Sequence, residues 1–242
     1  MRLFVAGLLI ILSVGLCVAS AGSSAAEPLP RSAADAKRDL DSRPFEVLDF
    51  FGVQPGWQVL DLFAGNGYYS EVLAQRVGPT GKVYLHNNQA YMGFADKLHE
   101  RIGNDRLPNV QVYVREVEAI DLPADSLDMV ILVKAYHDVY FVQQGWTVTA
   151  DPLFDALRRV LKPGGVLAII DHHALPGSGK AAAQDLHRIE AAFAKADIEA
   201  RGFAYADASD LLENDDDDLQ ISVFDPAVNN RTSRFVYKFT RK

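Results

Sequence analysis

The stretch Val59-Leu-Asp-Leu-Phe-Ala-Gly-Asn-Gly-Tyr68 decides how the rest of the chain is read. Residues 58–63 read as a buried strand, apolar from Val59 onward but for Asp61. Gly65 and Gly67 then allow a tight turn into a helix over 68–77, which stops at Gly78-Pro79. A turn of this kind lets a ligand approach the backbone at a helix start. Asp61, near the carboxyl end of the strand, can meet an ammonium group or order the loop. A G-x-G pair alone is a weak signal. The strand before it, the helix after it and the Pro55-Gly56 turn upstream strengthen it. A dinucleotide fingerprint would place a third glycine where Ser70 stands.

Working outward, further strands are predicted at 82–86, 110–114, 127–133 and 166–170. Helices are predicted from Pro44 to about Phe51, over 90–102, from Asp151-Pro152 up to Lys162-Pro-Gly-Gly165, and over 181–201. The end of the chain alternates Phe235, Tyr237 and Phe239 with polar neighbours, as a half-exposed edge strand does. Strands alternating with helices imply an α/β domain: a mostly parallel sheet with helices on both faces, binding its ligand beyond the strands' carboxyl ends.

Bulk properties agree. The 242 residues are 49% hydrophobic and carry a net charge of −8, enough for one well-buried domain without a basic tract to meet nucleic acid. Arg2 followed by an apolar run over 3–16 and small residues reads as a secretory signal, cleaved after residue 21 or as late as 26. Residues 22–34 then read as a flexible leader and 35–242 as the single domain. Cleavage would remove Cys17, the only cysteine, and leave a periplasmic or extracellular protein with no stable membrane insertion.

Residues 59–67 resemble motif I of class I methyltransferases. Ser126-Leu-Asp-Met-Val-Ile131 and Leu161-Lys-Pro-Gly-Gly-Val-Leu167 resemble the family's steps into the fourth and fifth strands. The chain also resembles a group of exported bacterial predicted methyltransferases, through Gly65-Asn-Gly-Tyr-Tyr69, Gly78-Pro-Thr-Gly-Lys-Val-Tyr84, Tyr136-His-Asp138, Asp171-His172, Leu186-His-Arg-Ile189, Phe224-Asp-Pro226 and Arg234-Phe-Val-Tyr-Lys-Phe239. The resemblance implies a Rossmann-like, seven-stranded sheet with an antiparallel C-terminal edge strand. It implies S-adenosylmethionine as cofactor, lying along the loop formed by Phe63, Gly65, Asn66 and Gly67, with Asp61 beside its methionine portion. It also implies a small-molecule methyl acceptor. Asn87 stands where the family's ribose-binding acid is expected, and Glu116 is placed to meet the adenine amino group.

Three polar clusters fall at strand ends or a helix start: Tyr136-His137-Asp138, Asp171-His172-His173, and His187 with Arg188 and Glu190. Their convergence at the ligand edge makes His137, Asp138, Asp171, His172 and His187 the candidate catalytic residues. His137 backed by Asp138 or Asp171 is the candidate general base. Taken singly, each histidine is better explained as a hydrogen-bonding group that caps a strand end or helix start; it is the cluster that points to function. The alternative to methyl transfer is an exported scaffold of the same fold reused as a small-molecule binding protein or as a metal-assisted hydrolase or lyase; the same residues can ligate a divalent metal, but no local spacing marks a metal site and none is assigned. Residues 213–218, four aspartates among them, read as a solvated loop.

Overall fold

The computed structural model describes residues 29–242, so the expected signal segment and most of the expected leader lie outside the described residues. The domain begins earlier than the sequence suggests. Helix α1 (Ala33–Ser42), capped by Ser32, is tied down by ion pairs of Arg31 with Asp39 and Glu71 and of Asp35 with Arg101. The end of the expected leader is therefore packed against the domain.

There follow α2 (Pro44–Phe51), β1 (Gln58–Leu62), α3 (Tyr68–Val77), β2 (Lys82–Asn87), α4 (Leu98–Ile102), β3 (Val110–Val114), β4 (Leu127–Val133), α5 (Ala150–Val160), β5 (Leu161–His172), α6 (Ala182–Leu186), α7 (Ala191–Ala200), β6 (Phe203–Ser209) and β7 (Arg234–Arg241). The seven strands form one sheet in the order β3-β2-β1-β4-β5-β7-β6. The first five run parallel, and β7 is antiparallel to both of its neighbours. The C-terminal strand is thus antiparallel as expected, yet it is not the edge: it inserts between β5 and β6, and β6 takes the outer position. Its alternation reflects two differently covered faces, not a free side.

Alternation along the strands sorts the core into two layers. Val59, Met129, Ile131, Ala168 and Ile170 point to one face, covered by α2 and α3 through Val47, Phe51, Val72, Leu73 and Val77. Leu60, Leu62, Val130, Leu132, Leu167 and Ile169 point to the other, covered by α5 and α7 through Leu153, Phe154, Leu157 and Ile198. Each of these side chains is essentially buried, and each large aliphatic one contributes about 1.5–3 kcal/mol relative to exposure.

Two predicted helices are broken. The one expected over 90–102 is a single 3-10 turn, Tyr91–Phe94, then the short α4. The one expected over 181–201 stops at Leu186, because His187 adopts a left-handed conformation (φ 52°) and Ile189 forms a bridge to His173 before α7 begins. The break buries Arg188 completely. Its guanidinium makes two 2.9 Å bonds to Asp217, which also accepts from the Ser233 backbone N–H. The run of aspartates is therefore only partly solvated, since its third member is a buried counter-ion that pins the 210–233 segment over the sheet. Among the described residues no helix is long and apolar enough to cross a membrane.

Candidate active site

A cavity of about 910 Å³ opens beyond the carboxyl ends of the central strands. That volume lies near the upper end of the roughly 300–1,000 Å³ usual for small-molecule sites, and it leaves room for two ligands side by side.

One wall is the glycine loop. Phe63 (φ 55°), Gly65 and Asn66 line it; a Cβ at Gly65 would stand 3.2 Å from the Phe94 carbonyl oxygen. The loop is braced from behind. Asn87 accepts from the Gly65 N–H at 2.8 Å and donates to the Gly65 carbonyl at 3.1 Å. His86 receives the Phe63 N–H on Nδ1 and lies 3.0 Å from the Arg115 carbonyl through Nε2, and burial holds it down to about 4, neutral in the core. Asn66 is fixed by Asp96 and the Lys97 N–H. Phe63, Tyr91, Phe94 and Trp146 complete this wall with ring centroids 5.1–5.9 Å apart. Such an aromatic group suits a flat base or a sulfonium cation. Trp146 is anchored by an Nε1–H bond to the Asp138 carbonyl.

Of the residues singled out from sequence for the cofactor, Phe63, Gly65, Asn66 and Glu116 line the cavity. Glu116 accepts from the Gln89 N–H at 3.1 Å, so it sits at the end of β2. Asp61, Gly67 and Asn87 do not line it. The pleat turns Asp61 toward α3, where it takes the Ser70 hydroxyl at 2.6 Å and burial pushes it up to about 7. Gly67 is needed for packing, because a Cβ there would stand 2.6 Å from Leu85. Asn87 spends both ends of its amide on Gly65, so the position expected to face a ribose holds the loop instead.

The opposite wall is the histidine cluster, which the ends of β4 and β5 do bring together. Asp171 is fully buried and accepts three hydrogen bonds, from the His137 N–H, the His172 N–H and His137 Nδ1, at 2.7–2.8 Å. It faces His137 and not the cavity, so it is a positioning residue. Burial opposes charge on His137, but Asp171 and Asp138 outweigh it and raise the imidazole to about 10. Burial likewise opposes charge on Asp138, yet hydrogen bonds from His137 and His187 hold its carboxyl down at about 2. With Nδ1 held by Asp171, His137 turns Nε2 toward Asp138 and His187. His172 and His187 line the cavity; His172 is fixed by Thr232 at 2.7 Å, and burial pushes its pKa well below the ordinary value.

Two cavity-lining cations escaped the sequence reading. Arg38, from α1, lies over the Tyr68 ring at 3.7 Å, and its guanidinium has no hydrogen bond or ion pair among the described residues, Nε being buried. Lys134 follows β4 in a left-handed conformation (φ 56°); burial, with Arg38 and Arg234 nearby, brings its ammonium down to about 7. Lys134 had a faint signal, a charge ending the apolar run Val-Ile-Leu-Val133. Arg38 had none, since it sits among the alternating charges that open the expected domain, just past the expected leader.

A family model for a methyltransferase domain matches residues 54–220. The ubiquinone/menaquinone biosynthesis C-methyltransferase UbiE of Hydrogenovibrio crunogenus is 30% identical over 131 residues, 52% of this chain and 46% of that protein. The protein of the same name from Cupriavidus necator is 30% identical over 125 residues, 50% of this chain and 45% of that protein. The chain thus spans somewhat less than half the length of these relatives. A SAM-dependent methyltransferase from Aquifex aeolicus shares the fold with a TM-score of 0.61 and 23% identity, over 86% of this chain and 98% of that one. The strand order, the glycine loop opening α3 and the family match agree: the chain belongs to the methyltransferase-domain family, with the Rossmann-like fold of class I methyltransferases.

Proposed function

We propose that the protein transfers a methyl group from S-adenosylmethionine to a small-molecule acceptor. One observation carries the reading: a single cavity joins the glycine loop to a wall of titratable side chains, so cofactor and acceptor can lie in contact. The residues present fit this cofactor. The Arg38 guanidinium, without a partner among the described residues, suits its carboxylate, Phe63 and Gly65 let it lie against the loop, the aromatic wall suits the base, and Gln89 and Glu116 are the polar groups at the β2 end.

S-adenosylmethionine supplies an electrophilic methyl group on a sulfonium. The protein's part is to hold the acceptor in line with that methyl group and to manage the acceptor's proton. Bound there, the cofactor would supply the methyl carbon, and its sulfur would keep the electron pair of the C–S bond that the new bond replaces. Lys134, balanced between ammonium and amine near pH 7, takes the proton that the acceptor loses. The UbiE relatives are named for C-methylation in quinone biosynthesis; here the charged far wall favours a polar acceptor. From the apolar run over 3–16 we also place the mature domain outside the cytoplasm. The N-terminal residue of protein recovered from the periplasmic fraction tests that placement.

The test of the activity is calorimetric titration with S-adenosylmethionine and S-adenosylhomocysteine, followed by a screen of acceptors. Micromolar binding supports the reading. Absence of binding at millimolar cofactor overturns it.

A further inference from the structure

His137 Nε2, Asp138 Oδ1 and His187 Nδ1 face one another on the far wall of the cavity, separated by 3.2, 3.3 and 3.5 Å. Asp171 receives His137 Nδ1 at 2.8 Å, so that nitrogen carries a hydrogen and Nε2 is the atom turned toward the other two. The second oxygen of Asp138 is taken by the Tyr91 hydroxyl at 3.3 Å, which leaves Oδ1 for the group. His187 is clamped between Phe141 and Phe224, at ring centroid distances of 4.6 and 4.8 Å. Each of the three is thus oriented by a neighbour outside the trio, and their donor atoms converge on one point, where an ion would take the place of the proton that His137 Nε2 otherwise shares with Asp138.

From this geometry we infer that His137, Asp138 and His187 bind a divalent transition-metal ion that holds the methyl acceptor by an oxygen, nitrogen or sulfur atom. The spacing fits. An ion with tetrahedral bonds of about 2.0–2.1 Å sets its ligands about 3.3–3.4 Å apart. The point equidistant from the three observed atoms lies about 1.9 Å from each, so an ion with such bonds sits just out of their plane. The outer partners fit too: a carboxylate on the far nitrogen of a ligating histidine fixes its orientation and strengthens it as a donor. Two imidazoles and one carboxylate select zinc, iron(II) or cobalt(II) over magnesium or calcium, which prefer all-oxygen sites. All three residues line the cavity, so the remaining coordination positions open toward the acceptor space. The acceptor class differs from the carbon acceptors named for the UbiE relatives: it is a heteroatom nucleophile that an ion of this type can bind and help to ionise. The part concerning the acceptor rests on the methyltransferase reading; the ion site does not.

The full-length purified protein, stripped with chelator, is titrated with Zn²⁺ by calorimetry and with Co²⁺ followed by visible absorption. One ion per chain is expected, with the intense Co²⁺ bands of a low-coordinate site and a shift of those bands when a small thiol or a phenol is added. Asp138→Asn, which preserves shape, and His187→Ala, at the cavity rim, are each expected to weaken binding by at least about 100-fold with unchanged circular dichroism. S-adenosylmethionine titrated into the same samples separates the two claims. If Asp138→Asn loses the ion and keeps the cofactor, both stand; if the ion binds and no sample takes cofactor, the ion site stands and the methyl-transfer reading falls. No stoichiometric ion, or affinity indifferent to both substitutions, overturns the ion site, and the trio then shares only a proton. Binding of the ion with no spectral response to any heteroatom ligand overturns its role in holding the acceptor.

Discussion

The two walls of the cavity are built in different ways. The glycine loop is held by backbone-directed bonds from the adjacent strand: Asn87 to Gly65, His86 to Phe63, and the Ala64 N–H to the His86 carbonyl. All fall within one strand–turn–helix–strand unit. The histidine wall is assembled from side chains remote in sequence, with Asp171 reaching back to His137 and His187 brought in by a broken helix. The Arg188–Asp217 pair then locks the covering segment. The first wall is a local solution to exposing backbone. The second depends on tertiary packing, and it should fail when that packing does.

The largest expected effect tests this dependence. Arg188→Ala leaves Asp217 buried without its partner and should cost about 3–5 kcal/mol in urea unfolding. Replacing both residues with apolar ones of similar volume should recover most of that loss. A small effect of Arg188→Ala would mean that the 210–233 segment is held by something else.

The same contrast explains what could be read in advance. The glycine loop, the strand alternation and the parallel topology were legible because they rest on short-range pattern and turn chemistry. The convergence of His137, Asp171 and His172 followed from their places at the ends of neighbouring strands. What was not legible depends on distant partners. The run 181–201 is rich in alanine and reads as one helix; Arg188 breaks it because its counter-ion lies in an aspartate run that looks solvated in isolation. Asp61 and Asn87 stand at expected positions, but the pleat and the Gly65 backbone claim them. Arg38 enters the cavity only because α1 folds back over α3, which no local pattern announces.

The next effect falls on catalysis. Lys134→Met should lower kcat/KM about 10²-fold, at the lower end of what a positioned base supplies, and should remove the rise of kcat/KM with pH through about 7. Asp61 titrates in the same range, so Asp61→Asn is the control that should keep that rise. Stability gives an independent reading. The folded-state pKa of Lys134 lies below its ordinary 10.5, so its contribution is full above the unfolded value and is lost as pH falls toward about 7. Lys134→Met should therefore be more stable than the parent at neutral pH and should converge with it at alkaline pH.

A smaller effect separates cofactor binding from folding. Arg38→Met removes a half-buried cation that has no ion-pair partner among the described residues, so the unfolding midpoint should hold or rise. Affinity for S-adenosylmethionine should meanwhile fall about tenfold or more, the worth of a charge-assisted hydrogen bond to its carboxylate. A destabilised variant with unchanged affinity would assign the guanidinium to the fold.

The smallest effect puts the contrast to a direct test at Asn87. If this position met the ribose, Asn87→Asp would restore the family's acid and tighten binding through two charge-assisted bonds. In the structure the amide matches Gly65 donor to acceptor and acceptor to donor. A carboxylate keeps the bond from the Gly65 N–H but meets the Gly65 carbonyl with a second acceptor, leaving that oxygen without its donor. The loss of one net hydrogen bond, about 1 kcal/mol, corresponds to roughly fivefold in affinity if it falls entirely on the ligand-competent form of the loop. Asn87→Asp should therefore weaken S-adenosylmethionine binding by about that factor. Asn87→Ser, which cannot span both groups, should weaken it similarly without adding charge. Tighter binding in the aspartate variant would mean that the side chain turns from the loop to the ligand, and the brace behind Gly65 would then be dispensable.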